Sequence, residues 1–323
     1  MLWLTRYVDD VNSQLSKLYL GESVLREAVT DALSGGGKRV RAVLALLWSE
    51  VFSGEYKPAL SLAVAYELAH ASALIQDDII DGSDLRRGRN SIVSKYGLST
   101  AILAANLLLF NVPKKMAEYK HMGGERVARL FDMLGESCRA ATTGEFLDLE
   151  FAKRVDVTER EYEEMVRLKT ASMLGAPCAG GAIVGGATDS QVSLAYRFGE
   201  EIGIAYQMQD DILDLIGESD ALGKPVFTDI RGRKKNILLM HTLSKCTKAE
   251  EEFIRGLFGR QSYTSSEISR AREIFRRYGS VEYSLGRVSS HLDGAKTLLK
   301  QLEPSKPRKE LLALSDYLSK RYY

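Results

Sequence analysis

Residues 62–81 read LAVAYELAHASALIQDDIID, an apolar run that ends in three aspartates. Leu62, Ala65, Tyr66, Ala69 and Ala73 recur at helical spacing, so the stretch predicts a helix with one continuous apolar stripe. Asp77, Asp78 and Asp81 close it at i, i+1 and i+4, positions that lie within about 100° of one another on a helix. Three carboxylates therefore share one face. The pattern returns at residues 209–214, QDDILD, with Asp210, Asp211 and Asp214. At the usual share of aspartate, two Asp-Asp-x-x-Asp patterns meet by chance in fewer than about one chain in six hundred. The duplication carries information.

Working outward, the same periodicity governs the rest of the chain. Val40, Val43, Leu44 and Leu47 form one stripe, Val127, Leu130, Phe131 and Leu134 another, and Ile202, Ala205, Tyr206, Gln209 and Leu213 a further one. Loop chemistry separates them: SGGG at 34–37, FSGE at 52–55, HMGG at 121–124 and GESDALGKP at 217–225. Neither a linker nor a composition shift divides the 323 residues. The reading is a single all-α domain over residues 1–323, of roughly a dozen helices, several apolar on most faces. Lys plus Arg number 44 against 43 Asp plus Glu, so the basic excess expected of a nucleic-acid binder is missing. Cys138, Cys178 and Cys246 are odd in number and far apart, which suggests reduced thiols in the cytoplasm rather than a disulfide framework. The start, MLWLTRYVDD, lacks the pattern of a secretory signal. Two uncharged stretches, 96–113 and 170–188, are broken by polar and small residues and are expected to be buried helices, not membrane spans.

Like charges packed together raise one another's pKa unless a cation lies between them. Magnesium suits the purpose, because it takes oxygen ligands, keeps waters and bridges carboxylates to phosphates. Basic residues accompany each triplet: Arg86, Arg87 and Arg89 follow the first, while Lys224, Arg231, Arg233, Lys234 and Lys235 follow the second. Lys38, Arg39 and Arg41 stand behind three glycines at a predicted helix start, an arrangement suited to phosphate. It is not a Walker A loop, since the GxxxxGK[ST] spacing is absent. Neither a Ser-His-Asp nor a Cys-His nucleophile is visible, and His121, His241 and His291 lack metal-ligand spacing. Together these features predict a phosphate-bearing substrate held by magnesium and guanidinium groups.

The motifs GGKRVR (36–41), HASALIQDDIIDGSDLRRG (70–88), KT (169–170) and YQMQDDILD…GKP…D (206–229) occur in one order and spacing. In them the chain resembles the trans-isoprenyl diphosphate synthases, or polyprenyl synthetases, above all the archaeal type that makes geranylgeranyl diphosphate. The resemblance implies a bundle of long, mostly antiparallel helices around a deep central cavity, usually as a homodimer, with the two aspartate motifs facing each other. Carried over by position, Asp77, Asp81 and Asp210 are magnesium ligands, with Asp78, Asp211 and Asp214 supporting them. Roughly three magnesium ions would occupy a substrate-loaded site. Lys38, Arg41, His70 and Arg87 match positions that hold isopentenyl diphosphate. Arg86, Lys169, Lys224 and Lys234 match those that hold the allylic diphosphate. Thr170 and Gln207 match polar groups beside the developing allylic cation. Some positions depart from the usual pattern: Gln76 for His, Gly144-Glu145 for Gly-Gln, Ala105-Asn106 for Gly-Asp, and DIRGRKK (229–235) for DIREGKK.

What the resemblance implies is head-to-tail prenyl transfer from an allylic diphosphate to isopentenyl diphosphate. A class I terpene cyclase shares the first aspartate motif, but its second usually mixes Asn, Ser or Thr with Glu, and here that motif is a full DDxxD. A non-catalytic subunit of a heteromeric synthase would have degraded motifs, and both are intact. Product length is expected to depend on the side chains one turn before the first motif. Ser72 and Ala73 are small there, with Leu109 on the next helix as a lower stop. That floor points to geranylgeranyl diphosphate, with geranylfarnesyl or longer as the alternative.

Overall fold

The computed structural model describes residues 2–18, 22–35, 37–217 and 226–319. Helices run in the order α1 Thr5–Leu15, α2 Ser23–Ser34, α3 Val40–Ser53, α4 Leu60–Ile80, α5 Ile92–Tyr96, α6 Leu98–Met116, α7 Gly124–Lys153, α8 Glu159–Val166, α9 Ser172–Val184 and α10 Asp189–Ile216. They continue with α11 Thr228–Arg231, α12 Ile237–Leu243, α13 Lys248–Leu257, α14 Ser265–Arg277, α15 Ser280–Leu299 and α16 Lys306–Ser319. Among the described residues the sole sheet is a hairpin, β1 Leu85–Arg86 with β2 Arg89–Asn90, antiparallel with Arg86 opposite Arg89. The all-α expectation holds. Contacts gather the chain into two units, one of Met1–Cys138, Met173–Gly199 and Leu302–Leu311, the other of Arg139–Ser172, Glu200–Gln301 and Leu312–Tyr323.

In the first unit α4 is the central element. It holds neither proline nor glycine, and its Ala and Leu residues favour the helix. Every side chain from Leu62 to Ala69 is buried, because α4 packs along α6 on one side and α3 on another. Val43, Leu44, Leu47 and Trp48 fill the same core, with Trp48 edge-on to Phe198 at 5.6 Å between ring centroids. The segment Lys57–Ile80 is long and apolar enough to cross a membrane, yet 67% of its most apolar window is buried, as expected of a core helix. Two stripe members differ from expectation: Ala73 and Phe131 lie on exposed faces. A paired turn stops α4 at its carboxylates. Gly82 takes φ +60°, its amide donates to Ile79, and the Ser83 amide reaches back 2.9 Å to the Asp78 carbonyl. That reversal needs a residue at ease with positive φ, which glycine supplies.

In the second unit, α8, α13 and α14 each begin with a capping box: Thr158 with Glu161, Thr247 with Glu250, and Thr264 with Glu267. Each threonine and glutamate satisfy one another's end of the helix. α12 packs on α15. Between α8 and α9 the chain makes one π-turn, Arg167–Ala171, which carries Lys169 and Thr170. Such wide turns inside helical runs are frequent at functional sites.

Candidate active site

The first aspartate motif is organised by an arginine. The β1–β2 hairpin turns Arg86 back onto α4, where Nη2 meets Asp77 Oδ2 at 2.7 Å and Asp78 Oδ1 at 2.5 Å, and Nε meets Asp78 Oδ1 at 2.9 Å. Asp78 is buried, which pushes its pKa up, while Arg86 pulls it down. The pairing offsets part of the repulsion among the three acids. Asp81 ends the helix on the exposed side.

A basic cradle forms beside this motif in the same unit. Arg41 Nη1 lies 3.1 Å from His70 Nε2, and Arg87 Nη1 lies 3.4 Å from the Gly35 carbonyl. Desolvation, then the charges of Arg41, Arg87, Arg86 and Arg39, holds the His70 pKa well below its usual value. The ring is thus neutral near pH 7 and accepts the Arg41 proton at Nε2. Lys38 is exposed. Arg39, its neighbour, turns the opposite way. With φ +51° it sends its guanidinium inward to Glu67 Oε2 at 3.1 Å, Asn12 Oδ1 at 3.1 Å and the Leu33 carbonyl. Glu67 also accepts the Ala42 amide at 3.3 Å. Arg39 is therefore an anchor that ties α1, α2, α3 and α4 to the loop presenting Lys38. The sequence reading grouped it with the phosphate-facing cations.

The second aspartate motif, at the end of α10, divides its three acids among different tasks. Asp211 is buried and accepts Tyr162 Oη at 2.6 Å and Gln207 Nε2 at 2.8 Å. Burial pushes its carboxyl up to about 7 despite those donors. Gln207 Oε1 in turn accepts Thr170 Oγ1 at 2.8 Å, so Thr170, Gln207, Asp211 and Tyr162 sit in one network. Asp214 is buried and caps α11, taking the Thr228 amide at 3.1 Å, the Thr228 hydroxyl at 2.5 Å and the Asp229 amide at 3.0 Å. Asp210 is half-buried. Asp229 accepts Asn236 Nδ2 at 3.0 Å, and its pKa is driven well up by burial, with the Asp214 and Asp211 charges adding to it.

Lys169 projects from the π-turn between two carboxylates of α7, Glu145 Oε2 at 2.8 Å and Asp148 Oδ2 at 2.7 Å. Lys234 Nζ stands 3.9 Å from the same Asp148 oxygen. Lys224 lies outside the described residues. The three residues expected to form the chain-length floor differ in their surroundings. Ser72 is buried and donates to the Ala105 carbonyl at 2.9 Å, so its small size serves the close approach of α4 and α6. Ala73 is exposed and Leu109 half-buried.

Among the described residues, no three His, Cys, Asp or Glu side chains form a ready-made metal cage. The donors are nevertheless of the right kind for magnesium, which prefers one or two carboxylates completed by water and phosphate. Asp77 and Asp81 in one motif and Asp210 in the other fit that use. Asp77 shares the Arg86 guanidinium with Asp78, which takes two of its nitrogens, while Asp211 and Asp214 are engaged by Tyr162 and Thr228.

Residues 22–275 match the family model described as polyprenyl synthetase. A geranylgeranyl diphosphate synthase of Sulfolobus acidocaldarius is 33% identical over 99% of this chain and 98% of its own length. The chain belongs to the polyprenyl synthetase family. It is accordingly a prenyltransferase. A geranylgeranyl pyrophosphate synthetase from Pyrococcus horikoshii has the same fold, with TM-score 0.91 and 30% identity over 99% of this chain and 98% of that one. A geranylgeranyl pyrophosphate synthase from Corynebacterium glutamicum, solved with isoprenyl diphosphate and magnesium, is similar at TM-score 0.85 and 25% identity, covering 98% of this chain and 97% of that one. Within this synthetase fold, the sequence reading missed Asp148 and Tyr162 as site-building residues. Their signals are buried polar groups with partners distant in sequence, which appear only once the chain is folded.

Proposed function

We propose that the chain catalyses magnesium-dependent head-to-tail condensation of isopentenyl diphosphate with allylic diphosphates, ending at all-trans geranylgeranyl diphosphate. The observation that carries this reading is the basic cradle beside an intact aspartate motif: Arg41 lies against His70, which burial and its arginine neighbours keep neutral, and Arg87 reaches the Gly35 carbonyl of the loop that presents Lys38. A cyclase, which ionises one diphosphate, has no use for a second set of phosphate-pairing cations.

Magnesium, when bound, neutralises the allylic diphosphate and makes it a leaving group. Asp77, Asp81 and Asp210 would hold it. Arg86, Lys169 and Lys234 pair with diphosphate oxygens that gain charge as the C–O bond breaks, which lowers the barrier because these cations are positioned beforehand. Thr170 and Gln207, hydrogen-bonded to each other at 2.8 Å, present oxygen dipoles to the allylic cation. Lys38, Arg41 and Arg87 orient isopentenyl diphosphate so that its double bond attacks. No side chain is an obvious base, and the departing diphosphate accepts the proton lost from the new bond. Ala73 and Leu109 are the proposed limits on the growing tail.

The function of the assembled protein is read as that of a soluble homodimer in the cytoplasm. The apolar side chains Leu98, Ile102, Leu103 and Phe110 on one side of α6 are exposed and suited to a second copy. Among the described residues Cys138, Cys178 and Cys246 form no disulfide, in keeping with a reducing compartment. Incubation with labelled isopentenyl diphosphate, each allylic primer and magnesium, followed by dephosphorylation and chromatography, tests the reading. Geranylgeraniol is expected. Release of hydrocarbon would support a cyclase, and absence of any product a non-catalytic subunit.

A further inference from the structure

The ammonium of Lys169 is met by two carboxylates at once, at 2.7 and 2.8 Å. Both come from α7, three residues apart, so a single helix face delivers them to one nitrogen. Their situations differ. Asp148 has 8% of its side chain exposed and also faces Lys234 at 3.9 Å, so it balances two lysines. Glu145 is more accessible, with 18% exposed, and adds a negative charge where a lysine already has a carboxylate partner. A cation meant only to grip phosphate is weakened by a second counter-ion.

We propose that Glu145 sets the affinity of the allylic diphosphate site by competing with the diphosphate for Lys169. The inference rests on the assignment of Lys169 to that diphosphate under Proposed function. Before substrate arrives, Glu145 and Asp148 share the ammonium and hold the side chain in place. An incoming diphosphate has to draw Lys169 away from Glu145 while the glutamate's like charge stays nearby, so binding is weaker than the lysine alone would allow. Once the carbon–oxygen bond has broken, the return of Lys169 to Glu145 favours departure of inorganic diphosphate. Glu145 thus trades ground-state grip for turnover. It is a positioning residue acting through Lys169, with no contact to the reacting carbons.

The test is Glu145→Gln, which keeps shape and an oxygen for Lys169 but removes the charge, together with Glu145→Asp, which keeps the charge. Titration calorimetry with inorganic diphosphate and magnesium reads affinity without chemistry. Glu145→Gln is expected to bind diphosphate about threefold to tenfold more tightly than the native chain, and Glu145→Asp to stay near native. In kinetics, KM for the allylic substrate should fall by a similar factor, KM for isopentenyl diphosphate should hold, and kcat should drop as release slows. The gain should vanish when Lys169→Ala is combined with Glu145→Gln, because it acts through the lysine. Unchanged or weaker diphosphate binding by a folded Glu145→Gln protein overturns the proposal, as does a gain that survives in the Lys169→Ala background. Failure of the native chain to transfer any prenyl group would instead overturn the functional reading, and the calorimetry would still report on Glu145.

Discussion

Gly144→Ala tests how closely the π-turn has to be held. A β-carbon at Gly144 would stand 2.3 Å from the Lys169 amide nitrogen, 2.6 Å from its Cα and 2.8 Å from its Cβ. All but the last are backbone atoms, so no rotamer change relieves the clash. Ordinary contact begins at 3.4 Å, and 3.4 minus 2.3 leaves a gap of 1.1 Å that α7 and the π-turn have to open. Two energies oppose each other. Alanine stabilises the middle of a helix by about 1 kcal/mol over glycine, whereas overpacking costs about 1–3 kcal/mol. Net destabilisation is then at most about 2 kcal/mol. The shift, however, falls on Lys169 and Thr170 themselves, and a misplacement of about 1 Å costs on the order of a hundredfold in rate. The expected outcome is a protein with a small loss in unfolding midpoint and about a hundredfold lower kcat/KM for the allylic substrate. Thermal melts and initial rates at saturating isopentenyl diphosphate measure both. A well-folded Gly144→Ala enzyme with kcat/KM within about twofold of native would refute the claim that this contact positions the turn.

Asp77→Ala and Asp210→Ala should each lower turnover by orders of magnitude with the helical circular dichroism unchanged, and comparable activity in excess chelator would contradict a metal role. Lys38→Ala, Arg41→Ala and Arg87→Ala should raise KM for isopentenyl diphosphate by about ten- to a hundredfold, since a charge-assisted bond contributes about 1.5–3 kcal/mol; Arg86→Ala should act on the allylic substrate instead. Glu161, Glu250 and Glu267 are held at about 2 against an ordinary 4.5, chiefly by hydrogen bonds from Arg154, Tyr278 and Arg260 respectively, with the capping threonines adding to them. Folded-state values below the unfolded ones mean this stability is present above pH 4.5 and lost as pH falls towards 2, so the triple Gln variant should melt with a flatter pH dependence across that window. An acid limb as steep as the native one would count against it. For product length, Ala73→Phe should give shorter prenyl alcohols on chromatography, whereas Ser72→Phe should chiefly destabilise the α4–α6 contact; an unaltered product distribution in folded Ala73→Phe would remove Ala73 from the floor.

The parts of the molecule that periodicity and local chemistry determine could be read from the chain. An apolar helix of the length of α4, ending in Asp-Asp-x-x-Asp and Gly82, carries its own start, face and stop, and the repeat at Asp210–Asp214 marks a second helix end. What could not be read is the division of labour among like residues, because that depends on partners far along the chain. Asp77 and Asp78 are adjacent, yet Asp78 is the buried one that Arg86 grips from two nitrogens. Asp210 and Asp214 belong to one motif, yet Asp214 caps α11 through Thr228. Lys38 and Arg39 look interchangeable until the left-handed backbone at Arg39 sends it to Glu67. Ser72 and Ala73 both read as small, and only the Ala105 carbonyl separates a packing residue from an exposed one. The acid pair Glu145 and Asp148 is the sharpest case. At i and i+3 on a helix with a polar face, such a pair has the same pattern as ordinary solvated charges. It acquires meaning only because a π-turn, which leaves no periodic trace, brings Lys169 between the two. Under the proposed assignment the metal-facing acids are the less buried members of each motif, Asp77 and Asp81 in the first and Asp210 in the second, and which members those are is decided by tertiary contacts.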